Sequence, residues 1–164
     1  MDAREVEVIL RPVELGDLDV FFDQQLDPEA NAMAAFTSAD PTDREAFDNH
    51  WQRVLSDNTI TNRTILAADH VAGHVAVYKA DDLDGPEVTY WIGKRWWGRG
   101  IATRAVEQLL VKVPTRPLYG RCAETNPASV RVLQKCGFRM VGEDEGFANA
   151  HGKVVRENIL RLDG

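Results

Sequence analysis

A chain of 164 residues, 44% hydrophobic and 27% charged, has the length for one folded domain over residues 1–164 and is too apolar to stay unfolded. Its 26 acidic residues outnumber 19 basic ones, a formal charge of −7, which argues against a protein that coats nucleic acid. No apolar run has the length of a membrane span, and Met1 to Glu5 lack the basic and apolar regions of a secretory signal, so a cytoplasmic protein without a membrane partner is expected. Cys122 and Cys136 form no CxxC pair, and His50, His70, His74 and His151 are scattered; reduced thiols and no metal site are expected.

In chain order, Val6, Val8 and Leu10 alternate with Glu7, Ile9 and Arg11, which predicts a strand ending at Pro12. Leu15, Leu18, Phe21, Phe22 and Leu26 fall on one helical stripe. Residues 28–41 read as irregular with a short helical piece at 30–35, and Thr42-Asp43-Arg44-Glu45 reads as a capping box opening a helix with Phe47, Trp51 and Val54 on its apolar face. The period then shortens: residues 64–68 and 71–79 predict a hairpin turning at Asp69-His70, and residues 87–93 a further strand. Ile101 to Val113 predicts a helix, 118–123 a short strand, 128–136 a second helix capped by Gly137, and 140–147 with 154–162 two closing strands. The economical architecture is α/β: one mixed, mostly antiparallel sheet of about seven strands with helices on its faces.

The most informative stretch is Tyr90-Trp91-Ile92-Gly93-Lys94-Arg95-Trp96-Trp97-Gly98-Arg99-Gly100-Ile101-Ala102, a strand entering a glycine loop that opens directly into a helix. Unpaired N–H groups and the helix dipole make such a start a phosphate or pyrophosphate site, and glycines let a ligand approach the backbone. Arg95, Arg99 and Arg104 add local charge, although Gly98 and Gly100 also suit a plain tight turn. A Walker-type loop is absent. The dinucleotide fingerprint is approached by Gly98-x-Gly100 with Glu124 beyond it, but Thr103 occupies its third glycine position.

A second block, Asn126-Pro127-Ala128-Ser129 through Lys135-Cys136-Gly137-Phe138, follows the next strand. Together with Arg95-x-x-Gly98-x-Gly100-x-Ala102 it resembles the GNAT superfamily of N-acetyltransferases, whose fold the element order over residues 6–162 also suits. Within it, Glu87 to Gly93 and the Asn-Pro-Ala-Ser block look most like the branch that includes ribosomal-protein N-terminal alanine acetyltransferases.

The resemblance implies an acetyl-CoA-dependent N-acetyltransferase in which a primary amine, a peptide N-terminus or a small molecule, attacks the thioester directly. It places acetyl-CoA as co-substrate, without a metal, in a cleft where the strands at 87–93 and 118–124 splay. Backbone groups of Trp91 and Ile92 would meet the pantetheine arm, amides of Arg95, Gly98, Arg99, Gly100, Ile101, Ala102 and Thr103 the pyrophosphate, and Asn126 the coenzyme arm. Asn126 equally suits a helix cap, and Arg131 and Lys135 either a 3′-phosphate contact or a solvated face. The tyrosine that many members carry as acid is Leu133 here, which leaves Ser129 near the sulfur as its substitute or as a plain buried hydroxyl. Glu87 is the first candidate base, with His74 second; each also suits a structural role. Walls for the acceptor are expected from 36–40, His50, Trp51 and 147–151, while Trp96 and Trp97 are walls or packing. A monomer or homodimer suits the length. The alternatives are a non-catalytic acyl-CoA-binding module and a dinucleotide-binding oxidoreductase.

Overall fold

The computed structural model describes residues 6–164; Met1 to Glu5, on which the secretory-signal reading rests, lie outside the described residues. Among the described residues, seven strands make one sheet in the order β1-β2-β3-β4-β5-β7-β6. The strands are β1 (Val8–Arg11), β2 (Thr61–Ala67), β3 (His70–Lys79), β4 (Pro86–Ile92), β5 (Leu118–Ala123), β6 (Arg139–Ala148) and β7 (Lys153–Leu162). The helices are α1 (Asp17–Gln25), α2 (Pro28–Ala34), α3 (Arg44–Ser56), α4 (Ile101–Lys112) and α5 (Pro127–Lys135). Every neighbouring pair is antiparallel except β4 with β5. The expected mixed sheet is present. A dinucleotide-binding oxidoreductase is excluded, because that fold needs a run of parallel strands.

Alternation along the strands divides the core between the two faces of the sheet. Val75, Val77, Val88, Leu118, Cys122 and Leu160 pack with Ile101, Ala105, Val106 and Leu109 of α4 and Leu133 of α5. On the opposite face Phe21 of α1 and Phe47 and Trp51 of α3 form an aromatic cluster. Local chemistry moves several predicted boundaries. The β2–β3 hairpin pairs Ala67 with His70, so its turn is Ala68-Asp69 and not Asp69-His70. Both turn residues have positive φ, 49° and 67°, the geometry whose twist matches a two-residue hairpin. The predicted capping box is replaced by an aspartate cap: Asp43 accepts from the Ala46 amide at 3.0 Å, while the Thr42 hydroxyl donates to Asp40 at 2.6 Å. α2 begins at Pro28, earlier than expected, because the Asp27 carboxylate accepts from the Ala30 amide at 2.8 Å and proline needs no partner in the first turn.

One buried ion pair ties the first strand to the rest. Asp17, 4% exposed, accepts from both Arg11 guanidinium nitrogens at 2.7 and 2.8 Å, from the Thr64 hydroxyl at 2.7 Å and from the Glu14 amide at 2.9 Å. Burial alone raises the pKa of this carboxyl, but those donors outweigh it and hold it below the ordinary value. Asp17→Ala leaves Thr64 without its carboxylate and Arg11 with only the Pro12 carbonyl and the more distant Glu14, and a buried pair broken on one side costs on the order of 3 kcal/mol. Urea unfolding is expected to show a lower midpoint with an unchanged slope.

Candidate active site

Two strands that run in parallel and then separate create the site. β3 holds β4 along Pro86 to Ile92 and β7 holds β5 along Leu118 to Ala123, whereas β4 and β5 register at the single pair Glu87–Tyr119. Each strand follows its antiparallel partner, and their C-terminal halves part. The N-termini of α4 and α5 enter the gap, around a cavity of about 400 Å³.

Of the residues singled out from sequence, Trp91, Ile92, Gly98, Gly100, Ile101, Ala102, Thr103, Asn126 and Ser129 line this cavity. Arg131 and Lys135 of α5 also line it, and so do Trp96, Trp97 and, from α2, Ala30, Met33 and Ala34. Arg95 and Arg99 are not among its lining; their guanidinium groups lie over the Trp96 ring at 4.8 and 5.3 Å. Arg104 turns its donors back onto the loop, to the Arg99 carbonyl at 2.8 Å, the Gly100 carbonyl at 3.3 Å and the Val6 carbonyl. The basic side chains at the cavity therefore come from α5, where two positions one helical turn apart share a face.

Gly98 and Gly100 have φ of 76° and 72°, and an added Cβ at either meets nothing within 4 Å. Backbone conformation, not crowding, is what calls for glycine there, and the left-handed turns bring the loop amides to the start of α4. The Trp97 indole N–H donates to the Ile92 carbonyl at 2.8 Å and ties this loop to the end of β4. At α5 the Asn126 side chain accepts from the Ser129 amide at 3.3 Å, so it caps the helix while also lining the cavity.

Leu133, where the family resemblance leads one to look for a tyrosine, points into the core and is 2% exposed. A Cβ on Gly120 would lie 2.4 Å from its Cδ1, so β5 and α5 are in close contact there, and Leu133 is not among the cavity lining. The cavity hydroxyl network comes from elsewhere: Ser129 Oγ lies 2.6 Å from the Tyr90 hydroxyl and accepts from the Cys122 thiol at 3.3 Å. Sequence reasoning missed Tyr90, although its odd-even spacing from Val88 and Ile92 on β4 was a usable signal for the face it occupies.

The two candidate bases stand away from that network. Glu87, 5% exposed, accepts from Arg121 at 2.7 and 3.0 Å, and Arg121 also donates to Asp82 at 2.6 Å. Its position on β4, odd-numbered like Trp91, puts it on the face opposite Tyr90. It is neither the solvent-facing carboxylate nor a free acceptor near Ser129. His74 packs between Phe21, tilted at a centroid separation of 4.6 Å, and Trp51, edge-on at 5.0 Å, where burial and then the nearby His50 push its pKa down to about 4. Trp51 belongs to that cluster and is 5% exposed, so it forms no wall. The other expected walls, residues 36–40, His50 and 147–151, are likewise absent from the cavity lining: His50 sits beside Trp51 at a ring separation of 6.1 Å, while the two loops meet each other and α2, Asn149 donating to the Thr37 carbonyl at 2.6 Å and His151 Nε2 lying 2.7 Å from the Ala32 carbonyl.

Residues 7–139 match the family model for the acetyltransferase (GNAT) domain, and the chain belongs to that family. It is 25% identical over 163 residues to the uncharacterized N-acetyltransferase p20 of Bacillus licheniformis, a match covering 93% of this chain and 90% of that one. Among solved structures it shares its fold with RimJ of Mycobacterium smegmatis in complex with CoA-disulfide, at a TM-score of 0.79 and 18% identity over 96% of this chain and 82% of that one. It is similarly close to the microcin C7 self-immunity acetyltransferase MccE in complex with acetyl-CoA and AMP, at a TM-score of 0.78 and 19% identity over 96% and 93% of the two chains. No helix among the described residues is long and apolar enough to cross a membrane.

The environment of His74 has a consequence for stability. An unfolded histidine binds its proton near pH 6.5, whereas the folded ring resists it until about pH 4, so the unfolded state gains protons first as pH falls. The resulting loss of stability is absent above about pH 6.5, grows as pH drops and is complete below about pH 4, amounting to on the order of 3 kcal/mol. Chemical denaturation of His74→Phe beside the wild type is expected to show a flatter dependence in that window. Equal slopes would remove His74 as the cause.

Proposed function

We propose that this chain transfers the acetyl group of acetyl-CoA to a primary amine, by direct attack of the amine on the thioester. The observation that carries the reading is the cavity between the parted strands, into which the starts of two helices and an open glycine turn converge. Acetyl-CoA supplies the activated acyl group; the chain supplies binding, orientation and hydrogen bonds. The left-handed turns at Gly98 and Gly100 and the first amides of α4 suit a pyrophosphate, while Arg131 and Lys135 suit the further phosphate of coenzyme A. Backbone groups of Trp91 and Ile92, on the edge of β4 that β5 leaves free, suit the pantetheine amides and the thioester carbonyl. Arg95 and Arg99, stacked on Trp96, contribute through their backbone and the local field. Ser129 is the hydroxyl placed to hydrogen-bond the departing sulfur.

The acceptor follows from the same lining. Among the described residues that line the cavity there is no Asp, Glu or His, and Glu87 is held by Arg121. A site built this way favours an amine that is already partly neutral near pH 7, with water carrying the proton away. An α-amino group, with a pKa near 8, meets that condition better than a lysine side chain near 10.4. The acceptor class we assign is therefore a free α-amino group, on a peptide or a small molecule, and Glu87 is assigned to holding Arg121 in place of the base role. The chain works in the cytoplasm, as a single domain spanning the fold.

Thiol release from acetyl-CoA, measured across α-amino and side-chain amines, tests this directly. The rate is expected to rise with pH and level off at the acceptor's own pKa. Tight binding of acetyl-CoA with no release above solvent, across the whole panel, would make the chain a binding module and end the enzyme reading. Gly100→Val forces a β-branched residue into a left-handed conformation at the phosphate turn and is expected to weaken acetyl-CoA binding by about thirtyfold, near 2 kcal/mol. Calorimetric titration checks it, and wild-type affinity in that variant would place the pyrophosphate elsewhere.

A further inference from the structure

The hydroxyl of Ser129 has one proton to give and two lone pairs to receive with. Cys122, 3% exposed on β5, directs its thiol at Ser129 Oγ from 3.3 Å, and burial pushes that thiol's pKa up to about 11, so the donor stays protonated. The Tyr90 hydroxyl lies 2.6 Å away on β4, and burial likewise raises its pKa above the ordinary phenol value. Among the described residues, Tyr90 has no other hydrogen-bond partner. If Ser129 donated to Tyr90, the phenolic proton would need an acceptor elsewhere. If Tyr90 donates, both lone pairs of Ser129 are filled and its single proton is left to point into the cavity.

We propose that Tyr90 and Cys122 are positioning residues that saturate the acceptor capacity of Ser129 and aim its O–H at the sulfur of the thioester. The inference rests on the acetyltransferase reading above and adds to it how an alcohol, in the absence of the tyrosine replaced by Leu133, is made a directed donor. In the reaction the amine nitrogen bonds to the acetyl carbon and the carbon–sulfur bond breaks, its electron pair passing to sulfur. The proton leaving nitrogen goes to water. Ser129 keeps its proton and hydrogen-bonds the thiolate, whose ordinary pKa near 8.5 requires no full proton transfer. Moving the phenolic proton outright to sulfur would instead leave a buried phenolate, which burial disfavours.

Tyr90→Phe, Ser129→Ala and the double variant form a cycle that tests the arrangement. With acetyl-CoA and a saturating peptide bearing a free α-amino group, Tyr90→Phe is expected to lower kcat about tenfold, the worth of one neutral hydrogen bond, with KM for acetyl-CoA changed less than about twofold. In the Ser129→Ala background the same change is expected to do nothing further. A second readout needs no acceptor: the ultraviolet absorbance of the coenzyme A thiolate bound to each variant, titrated with pH. Ser129→Ala and Tyr90→Phe should each reduce the bound thiolate-to-thiol ratio about tenfold at a fixed pH, and the double variant no further. An unaltered ratio and kcat in Tyr90→Phe, or a full additional loss in the double variant, overturns the positioning role while leaving Ser129 in place. An unaltered ratio and kcat in Ser129→Ala removes Ser129, and this inference with it. Failure of the wild type to bind coenzyme A overturns the acetyltransferase reading itself.

Discussion

The site depends on one constraint, that β4 and β5 cannot stay paired. Each is held along its length by an antiparallel neighbour, β3 for one and β7 for the other, and only Glu87 and Tyr119 meet across the parallel seam. Where the strands diverge, backbone hydrogen-bonding groups lose a neighbour within a largely buried layer, and such groups are costly unless something pairs with them. Helices α4 and α5 do not close the gap, because they enter it by their N-termini and bring further unpaired donors. The outcome is a pocket walled largely by apolar side chains, such as Met33, Trp96 and Val132, into which helix-start amides and the side chains of Arg131 and Lys135 bring the polarity. Tyr90 on one strand and Cys122 on the other meet at Ser129, so the wedge is bridged at the point where it opens.

This arrangement reconciles a formal charge of −7 with the polyanionic co-substrate proposed for the cavity. Three nearby arginines are engaged in building the loop: Arg95 and Arg99 stack on Trp96, and Arg104 closes onto the Arg99 and Gly100 carbonyls. Positive potential at the cavity then comes from two helix starts and from Arg131 and Lys135. Helix starts contribute without any side-chain entropy, which suits the binding and release of a large ligand proposed for this cavity.

The position of Leu133 shows how packing decides chemistry. Gly120 lets α5 settle closely on β5, and Leu133 fills the contact. Leu133 itself is not part of the cavity lining. The hydroxyls that do reach it start from a different strand and from the first turn of α5, and the carboxylate once favoured as base is locked to Arg121 on the other side of the sheet.

Much of the fold was legible in the chain because its signals are local. Alternation marked the strands, the stripe from Ile101 to Leu109 marked α4, and glycines at 98, 100 and 137 marked positions that the backbone does take with positive φ. Errors fell where two local signals competed, as at Thr42 and Asp43 or in the Ala68-Asp69 turn. The glycine loop and the Asn126-to-Ser129 block could be singled out because their chemistry is carried by consecutive residues, and the structure brings both to one cavity. Which sheet face Glu87 and Tyr90 occupy, that Arg121 takes the carboxylate, and that His74 is enclosed by Phe21 and Trp51 depend on partners 30 or more residues away in several cases, as with the 34-residue separation of Glu87 from Arg121. By itself the sequence determined the elements and the left-handed glycine turn, since both follow from the conformational preferences of neighbouring residues. Only the tertiary structure decided which hydroxyls face the cavity and which carboxylate is unavailable, because hydrogen bonds and burial are set by what the folded chain brings alongside.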